Sequence, residues 1–191
     1  MANLKGTKTE QNLLKSFAGE SQAKNRYEMF AKVARNEGYE QIAEIFITTA
    51  LQEKEHAKRF FKFLEGGEVE ITAKYPAGKI GTTLENLKAA ANGEAEEWQD
   101  LYPYFAGIAK SEGFDEIATA YKMIAKAEAE HEKQYRKLLA NIEKDQVFKK
   151  VDTVKWYCGN CGFVDENENA PDECPACLHP KAYFRLQPNN Y

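Results

Sequence analysis

The sequence predicts an all-α four-helix bundle with a crossover connection, followed by a small loop-rich metal-binding module. Apolar residues recur at helical spacing in four long stretches between residues 7 and 145. Those stretches form two pairs that repeat each other at an offset of 75 residues. All four cysteines of the 191-residue chain lie between Cys158 and Cys177.

Thr7-Lys8-Thr9-Glu10 reads as a capping box that opens the first helix. Its stripe is Leu13, Phe17, Glu20, Tyr27, Phe30 or Ala31, and Ala34, and Gly38 ends it. The second helix begins at once and runs to Gly66-Gly67 on the stripe Ile42, Phe46, Thr49, Phe60, then Phe63 or Leu64. Residues 66–81 hold the turn signals Pro76, Gly78 and Gly81, a stretch long enough to cross over rather than make a tight hairpin. Thr82-Thr83-Leu84-Glu85 is a second capping box. It opens a third helix on Leu84, Leu87, Ala91, Glu94, Trp98, Leu101, Phe105 and Ile108, which Gly113 ends. The fourth runs on Ile117, Tyr121, Ile124, Tyr135 and Leu138 to about Asp145. Val147 to Lys155 has no helical signal, and Gly, Pro, Asn and Cys dominate from Trp156 onward. The expected units are therefore 1–146, the bundle, and 147–191, a module too small to build a sufficient core without a metal.

An apolar fraction of 43% suffices for a real core, and a net charge of −4 gives no reason to expect nucleic acid or an anionic membrane as partner. No apolar run approaches membrane-spanning length, and Met1 to Gly6 has no apolar signal core. A cytoplasmic protein is expected. In that reducing compartment the clustered cysteines point to metal rather than disulfides.

The chemistry lies in Glu53-Lys54-Glu55-His56 and its echo Glu128-Ala129-Glu130-His131. On a helix, positions i and i+3 share a face, so each motif presents a carboxylate beside an imidazole. A lone Glu-x-x-His is usually a solvated face. Both copies here fall inside the apolar stripe, where an uncompensated ionised carboxylate costs several kcal/mol or more. Oxygen and imidazole ligands at two adjacent sites suit iron or manganese better than zinc.

The repeat also carries Tyr27 to Tyr102, and Asn36-Glu37-Gly38-Tyr39 to Ser111-Glu112-Gly113-Phe114. It fails once: Gly19-Glu20 matches Gly93-Glu94 at an offset of 74. One extra residue therefore stands between Glu94 and Tyr102. An inserted residue rotates everything beyond it by about 100° unless a wide turn absorbs it, so a π-bulge is expected there. Pro103 supports this, because in a regular helix it would clash with the carbonyl of Gln99.

Glu20 and Glu94 on the odd helices, with Glu-x-x-His on the even ones, form the di-metal carboxylate pattern of ferritin-like bundles. With the cysteine module added, nearly the whole chain resembles the rubrerythrins, non-haem iron proteins in which a rubredoxin-like domain follows a ferritin-like one. The resemblance implies that Glu53 and Glu128 bridge two irons, that Glu20 and Glu94 are terminal carboxylates, and that His131 is a constant ligand. Glu97, at i+3 from Glu94 and without a counterpart after Glu20, matches a carboxylate that binds one iron when oxidised. On reduction that iron moves to the position of His56. Glu96 is read as solvated. Tyr27 and Tyr102 are read as hydrogen-bond partners of the carboxylates.

Cys158-Gly159-Asn160-Cys161-Gly162 and Cys174-Pro175-Ala176-Cys177 form a tetrathiolate signal. Taken alone it reads as a structural zinc ribbon. Trp156-Tyr157 and the Cys-Pro-x-Cys pair resemble rubredoxin, whereas Leu178, where rubredoxins usually carry glycine, and the twelve residues between the pairs depart from it. The neighbouring redox bundle favours Fe(Cys)4. His179 is read as a surface residue.

The expected activity is reduction of hydrogen peroxide to water, with two irons in the bundle and one in the tail. Glu97, His56, Tyr27 and Tyr102 are the expected catalytic residues. The resemblance implies NAD(P)H as ultimate donor through an external reductase, and the chain has no G-x-G-x-x-G of its own. The alternatives are a ferroxidase, or a metal-binding protein with a structural zinc ribbon. A head-to-tail homodimer is expected, because the tail leaves the fourth helix roughly 21 Å beyond His131.

Overall fold

Two helical hairpins lie face to face. In the first, α1 (Lys8–Asn36) packs along α2 (Glu40–Phe61). In the second, α3 (Thr83–Glu96), a π segment (Glu97–Leu101) and α4 (Tyr102–Ser111) run on as one bundle helix against α5 (Asp115–Glu143). The computed structural model describes residues 3–189, so the first two and last two residues of the two expected units, Met1 and Ala2 of the N-terminal reading among them, lie outside the described residues.

The two hairpins turn identically. Gly38 and Gly113 take φ of +84° and +87°, which glycine adopts without steric cost. The next amides, Tyr39 N–H and Phe114 N–H, donate to Ala34 O and Ala109 O at 2.8 Å, closing the last turns. Each turn also caps the opposite hairpin: Glu112 accepts from Thr9 N at 2.9 Å, and Glu37 accepts from Thr83 N at 3.0 Å. The Thr82–Glu85 capping box is complete. The Thr7 box is half formed. Thr7 Oγ1 accepts from Glu10 N, while Glu10 takes the Gly6 N–H because that of Thr7 is spent on Leu4 O. The second helix stops at Phe61, short of Gly66, and residues 64–82 cross over without regular structure.

The insertion is absorbed where the repeat fails. The N–H of Tyr102 donates to Glu97 O, five residues back, and the π segment ends just before Pro103. This corrects the stripe expected for the third helix. Leu87, Ala91 and Glu94 are buried, but beyond the bulge the core positions are Tyr102, Ala106 and Ala109. Trp98, Phe105 and Ile108 are only half-buried and Leu101 is 36% exposed. Carrying α-helical spacing through a π turn reads the face one residue early. Leu139, rather than Leu138, is the buried leucine of α5.

Two aromatic clusters stack along the bundle axis. Tyr27, Phe46 and Tyr135 have centroids 5.2–6.0 Å apart, and Tyr102, Tyr121 and Phe60 have centroids 4.8–5.6 Å apart. Each residue of one cluster is the repeat mate of a residue in the other, which makes the bundle pseudo-two-fold. Tyr27 of one cluster bonds buried Glu94, and Tyr102 of the other bonds buried Glu20.

The tail is less loop-rich than its composition suggests. β1 (Lys149–Cys158), β2 (Val164–Asn169) and β3 (Phe184–Leu186) form an antiparallel sheet in the order β2-β1-β3. Most of the expected connector is therefore strand. Fully buried Trp156 is the core of this sheet, and its Nε1 donates to Asn167 O at 3.1 Å. The tail rests on the start of α2: Phe148 stacks on Tyr39 with planes 4° apart, and Arg185 pairs with Glu44. Among the described residues no helix is long and apolar enough to cross a membrane.

Candidate metal centres

Each hairpin brings its Glu-x-x-His to the bundle axis, with Glu20 from α1 and Glu94 from α3. The four glutamates Glu20, Glu53, Glu94 and Glu128 are only 0–1% exposed. They form two sets, Glu20, Glu53, His56 and Glu128, and Glu53, Glu94, Glu128 and His131, with the donor atoms of each set within 4.8 Å of one another. Glu53 and Glu128 belong to both.

Their oxygens divide between the sets. Glu53 Oε2 and Glu128 Oε1 face His56 Nδ1 at 3.0 and 2.9 Å, while Glu53 Oε1 and Glu128 Oε2 face His131 Nδ1 at 3.1 and 2.8 Å. Glu94 Oε2 is 3.6 Å from the same His131 nitrogen. One imidazole nitrogen carries at most one proton, so three carboxylate oxygens around it cannot all be satisfied by hydrogen bonds. Consistently, His131 Nδ1, both oxygens of Glu128 and one each of Glu20, Glu53 and Glu94 are buried without a hydrogen-bond partner among the described residues. Buried polar groups are rarely left so. A cation in each set satisfies them all at once, and the residues fit a pair of metal ions.

The electrostatics carry the same strain. Burial, and then the charges of Glu128 and Glu53, push the Glu20 carboxyl well above the usual range. Burial and the Glu53 charge raise Glu94 to about 8. Burial also works against ionised Glu53, but the imidazoles of His131 and His56 outweigh it and hold this carboxyl at about 2. Against burial, Glu128 and Glu53 raise His56 to about 10 and His131 to about 12. Protons on the imidazoles thus play the part that cations fit better.

The tyrosines cross between the halves. Tyr27 donates to Glu94 and Tyr102 donates to Glu20. Burial, followed by the charge of the partner glutamate, raises both phenols well above their ordinary value. The repeat symmetry pointed to such bonds, but not to the exchange of partners between halves.

Glu97 belongs to neither set. It is half-buried in the π segment and lines a pocket of about 440 Å³ between α1, the crossover and α4. Burial and the charges of Glu94, Glu128 and Glu53 raise its carboxyl well above the usual range, with Arg26 opposing. Glu96 is exposed, as expected.

Sequence reasoning missed two supports. Gln52 Oε1 lies 3.0 Å from His131 Nε2, so a proton on Nε2 would donate to it and, with a metal in place, Nδ1 would be the ligand lone pair. Trp98 Nε1 donates to Glu132 Oε2 at 2.7 Å, and Arg136 bonds both Glu132 and Asn92, so α5 holds the end of α3 and the start of the π segment. A glutamine or tryptophan on a helix gives no signal of such partners. The proximity of Glu132 to His131 in sequence is the nearest hint.

In the tail, Cys158, Cys161, Cys174 and Cys177 converge, with Sγ separations of 3.8 Å for Cys158–Cys177 and 3.6 Å for Cys161–Cys174. A tetrahedral metal with bonds of about 2.3 Å has sulfur–sulfur edges of about 3.8 Å, so the cage fits one ion. The two knuckles are alike: Gly162 N donates to Cys158 O at 2.9 Å and Leu178 N to Cys174 O at 2.8 Å. Leu178 takes φ +58°, the left-handed region that Gly162 occupies at +82°. His179 packs on Tyr183 and stands outside the cage.

Fold and sites together define a ferritin-like bundle with a carboxylate and histidine di-metal site, joined to a rubredoxin-like tetracysteine domain. A rubrerythrin family model matches residues 11–139, and a model of the rubrerythrin rubredoxin-like domain matches residues 156–185. The chain belongs to the rubrerythrin family. It is 60% identical to a rubrerythrin of Porphyromonas gingivalis over 99% of this chain and 94% of that one. Rubrerythrin of Nitratidesulfovibrio vulgaris is 53% identical over 97% of each chain. Among solved structures, nigerythrin in its fully reduced, all-ferrous state aligns with a TM-score of 0.63 and 31% identity, covering 96% of this chain and 91% of that one. Rubrerythrins are oxidoreductases of the peroxidase type, and iron is the metal that both sites suit.

Proposed function

We propose that this chain reduces hydrogen peroxide to water in the cytoplasm as a defence against oxidative stress. NAD(P)H is the ultimate donor, through a separate reductase. One observation carries the reading: two histidine–carboxylate sets share Glu53 and Glu128 in a chain that also holds a tetracysteine cage. Bound there, two ferrous ions supply the two electrons that the reduction consumes, and an iron in the cage returns electrons one at a time.

Glu20, Glu53, His56 and Glu128 would hold one iron of the pair, and Glu53, Glu94, Glu128 and His131 the other. Cys158, Cys161, Cys174 and Cys177 would hold the third. Glu97 and His56 would be alternative ligands of one iron, the carboxylate suiting the harder ferric ion and the imidazole the ferrous one. Tyr27 and Tyr102 hold Glu94 and Glu20 in orientation through the exchange. The units 1–146 and 147–191 thereby divide reduction from electron delivery.

The partner is a second copy, arranged head to tail. Within one chain the tail sits at the start of α2, at Glu44, nine residues or roughly 14 Å of helix from Glu53. An antiparallel neighbour brings its cage to the middle of this bundle instead. Mixing a chain lacking the cysteines with one lacking the bridging glutamates is expected to restore activity that neither parent has. Heterodimers as inactive as their parents would mean that each tail serves its own bundle.

The activity itself is tested by mixing the anaerobically reduced, iron-loaded protein with hydrogen peroxide. Expected are prompt oxidation of the nearly colourless ferrous protein, one peroxide consumed per electron pair, and growth of the red ferric tetrathiolate colour. A colourless zinc-filled cage in protein from its native source would remove the electron-transfer half of this reading.

A further inference from the structure

The pocket beside Glu97 is far larger than hydrogen peroxide requires. At about 440 Å³ it lies in the range of pockets for whole organic ligands. Hydrogen peroxide, at about two water volumes, fills on the order of 60 Å³. Its lining includes Glu97, Tyr102 and the glycines Gly19 and Gly93, which directly precede Glu20 and Glu94. Its walls are largely apolar, from Ala73, Pro76, Leu101 and Phe105. The crossover covers it, held by the bond from the Tyr75 hydroxyl to Lys15 O at 2.7 Å.

Neither glycine is required by the backbone. Neither has a positive φ. A Cβ on Gly19 would meet Tyr75 Cε1 at 3.6 Å, and one on Gly93 would meet Arg26 Nη2 at 4.0 Å, both ordinary contacts. Glycine inside a helix costs about 1 kcal/mol relative to alanine, so two repeat-related glycines here are a cost without a local reason. What they preserve is open space in the pocket that Glu97 lines. One polar group in the lining is also unspent: the buried Nε of Arg26 has no partner among the described residues.

We infer that this pocket admits alkyl and aralkyl hydroperoxides, ROOH, with the organic group along the apolar walls and the hydroperoxide group towards Glu97. The inference rests on the peroxidase reading and extends its substrate class. The O–O bond breaks, two electrons from the reduced iron pair and two protons are taken up, and ROH and water leave. The electrons are replaced by the same donor chain that serves hydrogen peroxide.

The test compares hydrogen peroxide with cumene hydroperoxide in steady-state assays of the iron-loaded protein. Alongside, the oxidised protein is titrated calorimetrically with cumyl alcohol, a product whose binding needs no turnover. Cumene hydroperoxide is expected to be reduced and cumyl alcohol to bind saturably. Gly93→Leu fills the pocket from a helical position that accepts a side chain. It is expected to lower kcat/KM for cumene hydroperoxide about tenfold more than that for hydrogen peroxide, and to abolish cumyl alcohol binding. Reduction of hydrogen peroxide alone, with no heat from cumyl alcohol, overturns the inference and leaves the proposed function standing. Equal loss of both substrates in Gly93→Leu also overturns it. If neither peroxide is reduced, the proposed function falls. Cumyl alcohol heat that Gly93→Leu removes would then still support the pocket as an organic ligand site.

Discussion

The two halves of the bundle present the same ligands and hold them differently. His131 is anchored through Nε2 by Gln52, whereas the repeat mate of Gln52 is Ala127, which offers His56 nothing. Glu97 stands three residues after Glu94, whereas the first half has Ala23 three residues after Glu20. The first half keeps its α-helical ladder where the second opens into a π turn. Repetition thus supplies two matched sites around shared Glu53 and Glu128. A few departures from it give His131 an anchor that His56 lacks and set a further carboxylate, Glu97, beside the second half alone; on the proposed function His56 and Glu97 are alternative ligands of one site.

The largest effect falls where the halves are joined. Glu53→Ala or Glu128→Ala removes an oxygen from both sites at once, and iron analysis should find only the tail iron left. Retention of the bundle iron would mean that the two sets are independent. Next comes the anchor. Gln52→Leu should weaken metal binding at the His131 site by about 10–100-fold, measured by competition with a chelator. The converse change, Ala127→Gln, gives His56 a matching anchor and should slow turnover while iron stays bound. Indifference of both variants would show that the glutamine is packing only.

Smaller effects sharpen the symmetry. Tyr27→Phe and Tyr102→Phe each leave a buried carboxylate oxygen without its donor, at a cost of about 1–3 kcal/mol. Because the two bonds are repeat mates, thermal denaturation should find equal losses. The smallest change concerns the tail. Leu178 is 70% exposed and left-handed, so Leu178→Gly should relieve about 1 kcal/mol of backbone strain with little lost burial, read as slower iron release on mild denaturation.

The bundle and its ligands were legible in the sequence because they rest on local periodicity. Charged residues at stripe positions announce themselves, and the change of offset from 75 to 74 located the π turn to within a few residues. The core face beyond that turn was misread, because spacing counted across an insertion keeps the wrong phase. Partners distant in sequence left no trace. Nothing in Gln52 or Trp98 points to His131 or Glu132, and the crossed bonds of Tyr27 and Tyr102 need the packed fold. The tail sheet was hidden because its strands are mostly exposed: Trp156, Cys158 and Phe184 are their buried residues, too few and too scattered to show an alternating face.

The central claim is that one site exchanges ligands and the other does not. Structures of the iron-loaded protein, oxidised and then chemically reduced in the same crystal form, test it most directly. The account predicts Glu97 on the iron when oxidised and His56 on it when reduced, with His131 and its bond to Gln52 unchanged in both. Identical ligands in the two states, or movement at His131 rather than His56, would contradict it.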